Sequence, residues 1–475
     1  MYCSKKISLA CLLGVFILLI LSLRAESAVI YVNSSYKGSI ETGEKTHPFT
    51  TIQAAALAAI DSDTIKVAKG TYLESVSISS KHITLLGGFK NGSFKTRNHQ
   101  KYNTIIIGNI IMRDCDGAID GFTITKGNPG IGIFGNSGVT VSRCTVVNCG
   151  APERKARGGG IAITGPTTKS SLVTECILRS NSSGRGAGIF TSDSTNVTIQ
   201  DCLVEGNTGY DNHGGGVCVT GNARILRNII RSNIIGEGEG FNTSYGSGFI
   251  SQGTNTDVYS AYNIIYDNLA KKPRGASASF YDEGTRAIVE YDLIFKNRNE
   301  GERVSGLQFD GGGDYNGNAR TSAIVRNCTI VDNMNAGFWV EALSDVTVTN
   351  SIIWNNGQGR DFVFDTTQNS TLAVSYCLFS QDPSTLPALR EGKGNIHGQD
   401  PLFANPAAND YHLRSTAGRW NAPAFSWTRD KADSPAIDAA DPSDSFENEP
   451  NPNGGRRNLG AYGNTKYASK SAKAK

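Results

Sequence analysis

The chain lacks the features that mark several common classes of protein. Its net charge is only +3 over 475 residues, which gives no reason to expect nucleic acid or a membrane surface as a partner. Proline is low, at 14 residues, and β-branched residues are plentiful, so the composition is not that of a disordered chain. No CxxC pair and no paired histidines occur, which argues against a zinc site.

Only one long apolar run is present, "ISLACLLGVFILLILSL" at 7–23, and it follows the basic start "MYCSKK". This order, followed by the small residues of "RAESA", is typical of a secretion signal over residues 1–28. A retained N-terminal membrane anchor is the alternative. We expect cleavage, and a protein that is secreted, on the cell surface or in the periplasm, without membrane contact and as a monomer.

The abundant feature is a repeated nine-residue unit. "VTECILRSN" (173–181), "IQDCLVEGN" (199–207) and "ILRNIIRSN" (225–233) follow one another every 26 residues, and ten copies occur between 119 and 382 at strides of 22 to 36. Position 9 is asparagine in seven copies, and position 6 is apolar in all ten. The residues at position 6 are Ile124, Val146, Leu178, Val204, Ile230, Ile265, Ile294, Ile330, Ile353 and Phe379.

Such a unit is too short to fold alone, so the copies must stack with one coil per repeat. Parallel strands about 4.8 Å apart then place equivalent residues in columns, and stacked asparagine side chains can hydrogen-bond along the axis. A bend between positions 1 and 4 turns positions 1, 4, 6 and 9 inward. The sequence therefore predicts an all-β fold, a parallel β-helix with three strands per coil.

Eight cysteines remain after Cys3 and Cys11 of the predicted signal. Cys144, Cys176 and Cys202 take position 4 of successive copies, where a small apolar thiol packs well in an inward column. We favour this packing interpretation, and disulfides in an oxidising compartment are the alternative. In other copies position 4 is Asn228, Asn263, Asp292 or Ser351.

The ends of the predicted solenoid differ from its middle. An alanine-rich helix at about 51–60 is expected to cap the first coil, whose edge would otherwise be open. We assign 29–382 to the β-helix with this cap, 383–465 to a turn-rich C-terminal capping module, and 466–475 to a basic disordered tail.

These pieces resemble the exported right-handed parallel β-helix proteins of the polysaccharide-lyase-like (pectate-lyase-like) group. The segments that carry the resemblance are "HPFTTIQAAALAAIDSDTIKVAKGTY", the repeat, and "DPLFANPAANDYHLRSTAGRW" with "DSPAIDAADP" and "NGGRRNLGAYGNT". The resemblance implies a right-handed solenoid and export. The group includes lyases of acidic polysaccharides, glycosidases and epimerases. The histidine and arginine signatures of pectate lyases and the paired aspartates of polygalacturonases are absent, so no catalytic residue is carried over.

A further strand follows each asparagine, and its alternation turns the third and fifth residues outward. The third-position column is predicted to be Ala162, Phe190, Cys218, Ile250, Tyr281, Gln308, Trp339 and Val363. The fifth-position column is predicted to be Thr164, Ser192, Thr220, Gln252, Glu283, Asp310, Glu341 and Asp365.

The fifth-position column ends in four consecutive carboxylates, Glu283, Asp310, Glu341 and Asp365. Carboxylates on adjacent rungs repel one another, so the pKa of at least one should rise unless a cation is bound. We predict that these four residues hold Ca²⁺, which prefers oxygen ligands, and that Glu283 and Asp310 have acid–base roles. An acidic column that only keeps the face soluble is the simplest alternative.

The predicted partner is a polysaccharide, most simply an acidic glycan. Its sugar rings would contact Tyr281, Gln308, Trp339, Phe190 and Arg303, and Lys271, Lys272 or Arg274 would serve as base or as partner of a uronate carboxylate. The leading hypothesis is a lyase acting by β-elimination. A glycoside hydrolase with paired carboxylates and a non-catalytic surface or matrix protein are the alternatives. His213 is interpreted as a turn residue, and His397 and His412 as structural residues.

Overall fold

The computed structural model describes residues 27–166, 168–192, 195–240, 243–301, 303–312, 320–364, 369–386 and 389–472. They form a right-handed parallel β-helix, so the predicted fold class is confirmed. In each regular coil the chain passes through three long sheets in turn, here called sheets 1, 2 and 3. A short five-stranded sheet lies between sheets 3 and 1 in the middle coils.

The strands of the three sheets are short and every neighbouring pair is parallel. Sheet 1 contains Val76–Ser79, Ile110–Arg113, Ile131–Phe134, Ile161–Thr164, Ile189–Thr191, Val217–Val219, Phe249–Ser251, Ala278–Tyr281, Val304–Asp310, Ala336–Glu341 and Phe362–Phe364. Sheet 2 contains Val29–Val32, Thr64–Ala68, His82–Phe89, Asp116–Asp120, Gly138–Ser142, Ser170–Thr174, Asn196–Gln200, Asn222–Leu226, Asp257–Ala261, Arg286–Glu290, Thr321–Arg326, Ser344–Thr349, Thr371–Ser375 and Leu389–Glu391.

Sheet 3 contains Gly70–Tyr72, Thr104–Ile107, Thr123–Thr125, Thr145–Val147, Ile177–Arg179, Leu203–Glu205, Ile229–Arg231, Ile264–Tyr266, Leu293–Phe295, Thr329–Val331, Ile352–Trp354, Leu378–Phe379 and Ile396–His397. The short sheet contains Ser182–Ser183, Thr208–Gly209, Ile234–Ile235, Leu269–Ala270 and Arg298–Asn299.

The predicted position-6 column stacks residue upon residue along sheet 3. The strand register pairs Ile124 with Val146 and continues coil by coil to Ile353 and Phe379. All ten side chains are 1% exposed or less. Because burial of one such side chain contributes roughly 1.5–3 kcal/mol, this column is a main source of the stability of the fold.

A left-handed residue makes the predicted bend between positions 1 and 4. At position 3, Arg143, Glu175, Asp201 and Arg227 have φ of 50°, 53°, 54° and 54°. One residue in this conformation breaks the strand alternation, so positions 1 and 4 both face the interior.

The asparagines at position 9 form a continuous buried ladder. Nδ2 of Asn181 donates to Oδ1 of Asn207 at 3.0 Å. The same contact recurs at 2.9–3.0 Å through Asn233, Asn268, Asn297, Asn333 and Asn356. Asp361 ends the ladder by accepting from Asn356 at 3.1 Å. Since each amide also donates to a backbone carbonyl, the ladder satisfies backbone groups that the turn would leave unpaired.

The eight cysteines beyond the predicted signal are all buried, and within the described residues none of them forms a disulfide bond. Cys176 lies between Cys144 and Cys202 in the position-4 column, and burial raises the pKa of its thiol well above the usual value. The packing interpretation is therefore confirmed for these residues and the disulfide alternative is not.

A short helix, Ile52–Ala58, lies in the segment predicted to be helical. Oγ1 of Thr51 accepts from the amide of Ala54 at 3.2 Å, and the carboxylate of Glu74 accepts from the amide of Ile52 at 2.9 Å. Ile52, Ala55 and Ala56 belong to the same core as the first strands. Across the described residues, which exclude 1–26 and so most of the predicted signal, no helix is long and apolar enough to span a membrane.

The solenoid extends past the predicted boundary at 382. Leu389–Glu391 joins sheet 2 and Ile396–His397 joins sheet 3, where His397 pairs with Phe379. His397 therefore belongs to the last coil rather than to the C-terminal module, and its Nε2 lies 2.5 Å from a carboxylate oxygen of Glu391. The boundary was missed because this coil has lost the apolar residue at position 6, which is His397, and the asparagine at position 9, which is Asp400.

The C-terminal module folds back along the outside of sheet 3. Outward residues of the sheet pack with module residues in a second core, and the hydroxyl of Tyr411 donates to Asp332 at 2.8 Å. This core contains Leu293, Phe295, Val331, Ile352, Leu378, Phe403, Leu413, Ile437 and Leu459. The module therefore covers the side of several coils, whereas the sequence predicted a cap on the last one.

The predicted disorder of the tail is wrong for residues 466–472. Ala468, Ser469 and Ser471 are buried, and the hydroxyl of Ser469 donates to the carbonyl of Leu413 at 2.5 Å. The alternation of lysine with small residues, interpreted as a disordered tail, is an alternation of exposed and buried positions. Residues 473–475 lie outside the described residues.

Candidate functional site

The register of sheet 1 confirms the third-position column with one correction. Ser279, not Tyr281, lies between Ile250 and Gln308. Tyr281 pairs instead with Asp310, so it belongs to the fifth-position column. The error arose because serine replaces the usual glycine before this strand, which hid where the strand begins.

The same shift shortens the predicted ladder of four carboxylates. Asp310 pairs with Glu341 on the next strand, but Glu283 lies in the turn after Tyr281. Glu283 is half-buried, and its Oε1 has no hydrogen-bond partner among the described residues. Asp365 lies outside the described residues. Two adjacent carboxylates, Asp310 and Glu341, therefore remain of the predicted set.

Asp310 is set up to exchange a proton near neutral pH. It is 4% exposed, and its Oδ1 accepts from the amide of Gly312 at 3.0 Å. Burial, followed by repulsion from Glu341, raises the pKa of Asp310 to about 7. A carboxyl group with this pKa is present in both protonation states at neutral pH, which suits general acid–base chemistry.

Gln308 orients Glu341 from below. Its Nε2 donates to Oε1 of Glu341 at 2.8 Å, and its Oε1 accepts from the hydroxyl of Ser279 at 3.2 Å. Gln308 is only 1% exposed, so its side chain does not present the surface needed for the sugar contact that was predicted for it.

Of the three predicted basic residues, Arg274 is the one found to interact with the carboxylate pair. A hydrogen bond with Tyr245 and the attraction of Glu341 and Asp310 raise the pKa of Arg274. Lys271 instead pairs with Glu237 at 2.5 Å, which raises the pKa of Lys271 and makes it a poor base. Lys272 lies against Gly236. Arg274 therefore serves as a fixed positive charge rather than as a base.

Three rings flank the carboxylates on their N-terminal side. His213 stacks on Tyr245 with centroids 5.3 Å apart, and Tyr281 lies 5.1 Å from Tyr245 and 5.9 Å from His213. Burial lowers the pKa of His213 to about 3, so its imidazole is neutral at working pH. Nδ1 of His213 is buried without a partner in the described residues. The sequence predicts a turn residue, but His213 forms an isolated β-bridge with Tyr245 in the loop that precedes its strand, and this loop borders the site.

The rest of the outer face is less open than the sequence suggested. Phe190 is 9% exposed and packs with Cys218, Ile250 and Tyr245, so it is not free to stack on a sugar. The half-buried ring of Trp339 lies 5.4 Å from the guanidinium of Arg303. The loops that enter sheet 1 cover these residues, which strand alternation alone placed in solvent.

Sequence reasoning missed a column in those loops. In six successive coils, a basic or aromatic residue lies four positions before the first inward-facing residue of the sheet 1 strand. We call these six residues the loop column. Its members are Arg157, Arg185, His213, Tyr245, Arg274 and Arg303.

A sequence signal for the loop column exists. The first four members begin "RGGGI", "RGAGI", "HGGGV" and "YGSGF". The backbone of Arg157 forms an isolated parallel β-bridge with that of Arg185, and His213 forms one with Tyr245. The glycine that follows each of these four members has φ between 55° and 71°, a conformation that explains why glycine is repeated there.

The predicted Ca²⁺ ligands are described only in part, because Asp365 lies outside the described residues. Among the described residues no group of three His, Cys, Asp or Glu side chains lies close enough to hold a metal ion. Ca²⁺ takes 6–8 oxygen ligands, whereas Asp310 and Glu341 are two carboxylates that share the site with Arg274. The pair does not fit a calcium centre by itself.

Two grooves lie beside these features. One, of about 840 Å³, runs over the outer face of sheet 2 past Tyr259, Ile288 and Ile324, and its Arg286 is paired with Asp257 at 2.6 Å. A polar groove of about 570 Å³ follows the turns from sheet 1 to sheet 2, and its wall includes Gln252, one rung before Tyr281. Asp282 also lines this second groove, whereas Asp310 and Glu341 are not among its lining residues.

Fold and site together describe a parallel β-helix protein with two adjacent, buried carboxyl groups on the outer side of one sheet. The chain matches the family model described as the right handed beta helix region at residues 88–256 and 204–375, which together span more than half of its length. The chain belongs to this right-handed β-helix family. No curated protein is significantly similar to it in sequence.

In several solved structures the chain follows a course similar to that of this protein. Pectate lyase Pel9A is 15% identical with a TM-score of 0.43, covering 93% of this chain and 97% of its own. The GH136 lacto-N-biosidase from Eubacterium ramulus is 11% identical with a TM-score of 0.41, covering 78% and 71%. XylC in complex with xylose is 11% identical with a TM-score of 0.36, covering 84% and 92%. At this level of identity the likeness concerns the fold alone.

Proposed function

We propose that this protein is a secreted carbohydrate-active enzyme that cleaves an acidic polysaccharide by β-elimination at the outer face of sheet 1. One observation carries the proposal. A buried carboxyl group with a pKa of about 7, Asp310, interacts electrostatically with a permanent positive charge, Arg274. These are the two groups that elimination next to a uronate carboxylate requires.

In this reaction Arg274 pairs with the carboxylate of the uronate and stabilises the negative charge that develops there. Ionised Asp310 removes the proton from C5 of that sugar. The C4–O bond then breaks as the C4–C5 double bond forms, and the leaving oxygen takes the proton back from Asp310. Since base and acid are the same group, a pKa near 7 suits both halves of the step.

Charge supports an acidic substrate. Four of the six members of the loop column are arginines, so the loops along this side of sheet 1 carry positive charge. Tyr281 and Tyr245 provide ring edges and hydroxyl groups beside Asp310.

Glycoside hydrolysis is a second candidate, because the two carboxyl groups lie on adjacent strands. Strand spacing of about 4.8 Å is close to the roughly 5–5.5 Å separation of retaining glycosidases. Their surroundings also differ, since Asp310 accepts from a backbone amide and Glu341 from the amide of Gln308. Asp310 would then act as the acid and Glu341 as the nucleophile.

The test uses uronate polymers of several kinds, with neutral glycans for comparison, and two readouts. A lyase yields new reducing ends together with ultraviolet absorbance from the unsaturated product. A hydrolase yields reducing ends alone. If neither signal appears with any polymer, the enzyme proposal is wrong and a non-catalytic glycan-binding protein replaces it.

The pH profile separates the two chemistries further. Asp310 acts as a base in elimination, so activity should rise as the pH increases through about 7. In hydrolysis it acts as an acid, and activity should fall above about 7.

A further inference from the structure

The loop column has a second charged centre at its N-terminal end. The carboxylate of Asp211, 4% exposed, lies 2.9 Å from Nε of Arg185, 3.6 Å from Nη2 of Arg157 and 4.0 Å from Nε of Arg154. The guanidinium groups of Arg157 and Arg185 therefore share the single carboxylate of Asp211. Burial and repulsion from Arg185 lower the pKa of Arg157, as expected where positive charges are incompletely balanced.

Both inner arginines keep contact with solvent. Their side chains are 34% and 27% exposed for Arg157 and Arg185. Nη1 of Arg157 donates to the carbonyls of Arg154 and Ala156, and Nη2 of Arg185 has only a long 3.5 Å contact to Asn212. Since a guanidinium carries five N–H donors, donors remain for one more acceptor, and the planar group suits a carboxylate or a sulfate.

This centre is in line with the cleavage site. His213, Tyr245 and Arg274 follow Arg185 in the loop column, one per coil. At about 4.8 Å per rung, Arg185 lies roughly 14 Å and Arg157 roughly 19 Å from the rung of Arg274 along the axis. A sugar residue is about as long as one rung, so a chain along the axis can present one acidic group at each end of this interval.

We infer that Arg157 and Arg185, positioned by Asp211, form an anion-binding subsite for a carboxylate or sulfate group of the same chain that is cleaved at Asp310. The inference rests on the proposed function, but the contact is separate from the cleavage site. A chain must extend over about four rungs to reach both places. The protein therefore selects long acidic chains over short ones.

A purely structural role for the arginines predicts something different. In that case they connect the loops 154–157, 185 and 211 through their ion pairs. Their replacement then lowers stability but leaves the dependence of binding on chain length unchanged.

The experiment measures binding rather than turnover. Full-length protein carrying Asp310→Asn is titrated calorimetrically with size-graded oligogalacturonates, as the carboxylate source, and chondroitin sulfate oligomers, as the sulfate source. We expect affinity to rise sharply once the chain spans both sites. Arg157→Gln and Arg185→Gln should each lower the affinity for long oligomers about tenfold or more, which is the contribution of a charge-assisted hydrogen bond. The affinity for short oligomers should stay unchanged. Arg227→Gln is the matched control, because Arg227 pairs with Asp201 away from sheet 1.

Arg157→Gln is the milder variant, since Asp211 keeps its 2.9 Å contact with Arg185, and it decides the question if Arg185→Gln unfolds. If folded Arg157→Gln shows the same dependence of affinity on chain length as the unsubstituted loop, the subsite is wrong. The proposed function is judged separately and stands if the wild-type protein turns over any uronate polymer. If affinity rises with chain length only when the arginines are present, but no polymer is turned over, the subsite is supported and the proposed enzymatic function is wrong. Equal affinity for neutral oligomers also overturns the subsite.

Discussion

Two columns of this solenoid use the same stacking with opposite results. Inside, the asparagine ladder from Asn181 to Asn356 places one amide on each rung, and every amide both donates and accepts. Outside, sheet 1 places Asp310 and Glu341 on adjacent rungs, and two like charges face each other. Amides in such a column satisfy one another, whereas carboxylates raise the pKa of one member.

The comparison shows how a repeat architecture separates stability from chemistry. The inner column tolerates only groups that can pair along the axis, because unpaired polar groups cost most where water is excluded. The outer column instead places two carboxyl groups side by side that cannot pair in this way, although Asp310 and Glu341 are buried as well. The following changes test this contrast, from the largest expected effect to the smallest.

Asp310→Asn should lower kcat/KM by about 10²–10⁴-fold, the usual contribution of a general acid or base. The amide keeps the size of the side chain and its contact with Gly312 but cannot exchange the proton. Steady-state kinetics on the uronate polymer measures the loss. Asp201→Asn, which removes a carboxylate paired with Arg227 on another surface, serves as the control. Equal loss in both variants would show that charge in general, not Asp310, matters.

Asn268→Ala should destabilise the fold by about 3 kcal/mol, because it leaves both the amide N–H and Nδ2 of Asn233 without their acceptor. Urea denaturation measures the free energy of unfolding. Asn222→Ala is the matched control, since Asn222 also contacts a stacked asparagine, Asn196, but at the surface. It should cost under about 0.5 kcal/mol. Similar values for both variants would contradict the importance of burial.

Asp292→Asn should stabilise the protein by about 2 kcal/mol at pH 8 and have little effect at pH 4. Burial raises the pKa of Asp292 to about 7, above its unfolded value. The folded state therefore binds a proton that the unfolded state lacks between about pH 4 and 7, so wild-type stability falls as pH rises through that window. Denaturation at both pH values checks the sign. Asp267→Asn, on a half-exposed side chain, should show no such difference.

Glu341→Gln should move the pH limb assigned to Asp310 to lower pH by about one unit, since repulsion from Glu341 is a cause of the raised pKa. Burial remains, so the shift is partial. The pH dependence of kcat/KM measures it. If the reaction is elimination, activity survives this change; if it is hydrolysis with Glu341 as nucleophile, activity is lost.

Two observations show how much of the structure the sequence repeat could predict. The ten position-6 residues stack as predicted, while the strand Ala278–Tyr281 is displaced by two residues from its predicted position. A shift of the strand by two residues leaves the same side chains facing outward. The hydrophobic alternation therefore could not show that Tyr281 and Glu283 had each been assigned to a column position two residues too early in the strand. Only hydrogen bonding to the neighbouring rung fixed which residue stands beside Asp310.

The sequence alone determined the inner columns, because nine covalently linked residues with one bend leave little choice about which side chains face the core. The tertiary structure decided what lies over the outer face. Loops of variable length carry no periodic signal for where they return, so the loop column, the burial of Phe190 and the position of the C-terminal module along sheet 3 all followed from packing between coils. Asp310 acquires its raised pKa from that packing, since burial and a neighbouring carboxylate exist only in the assembled coils.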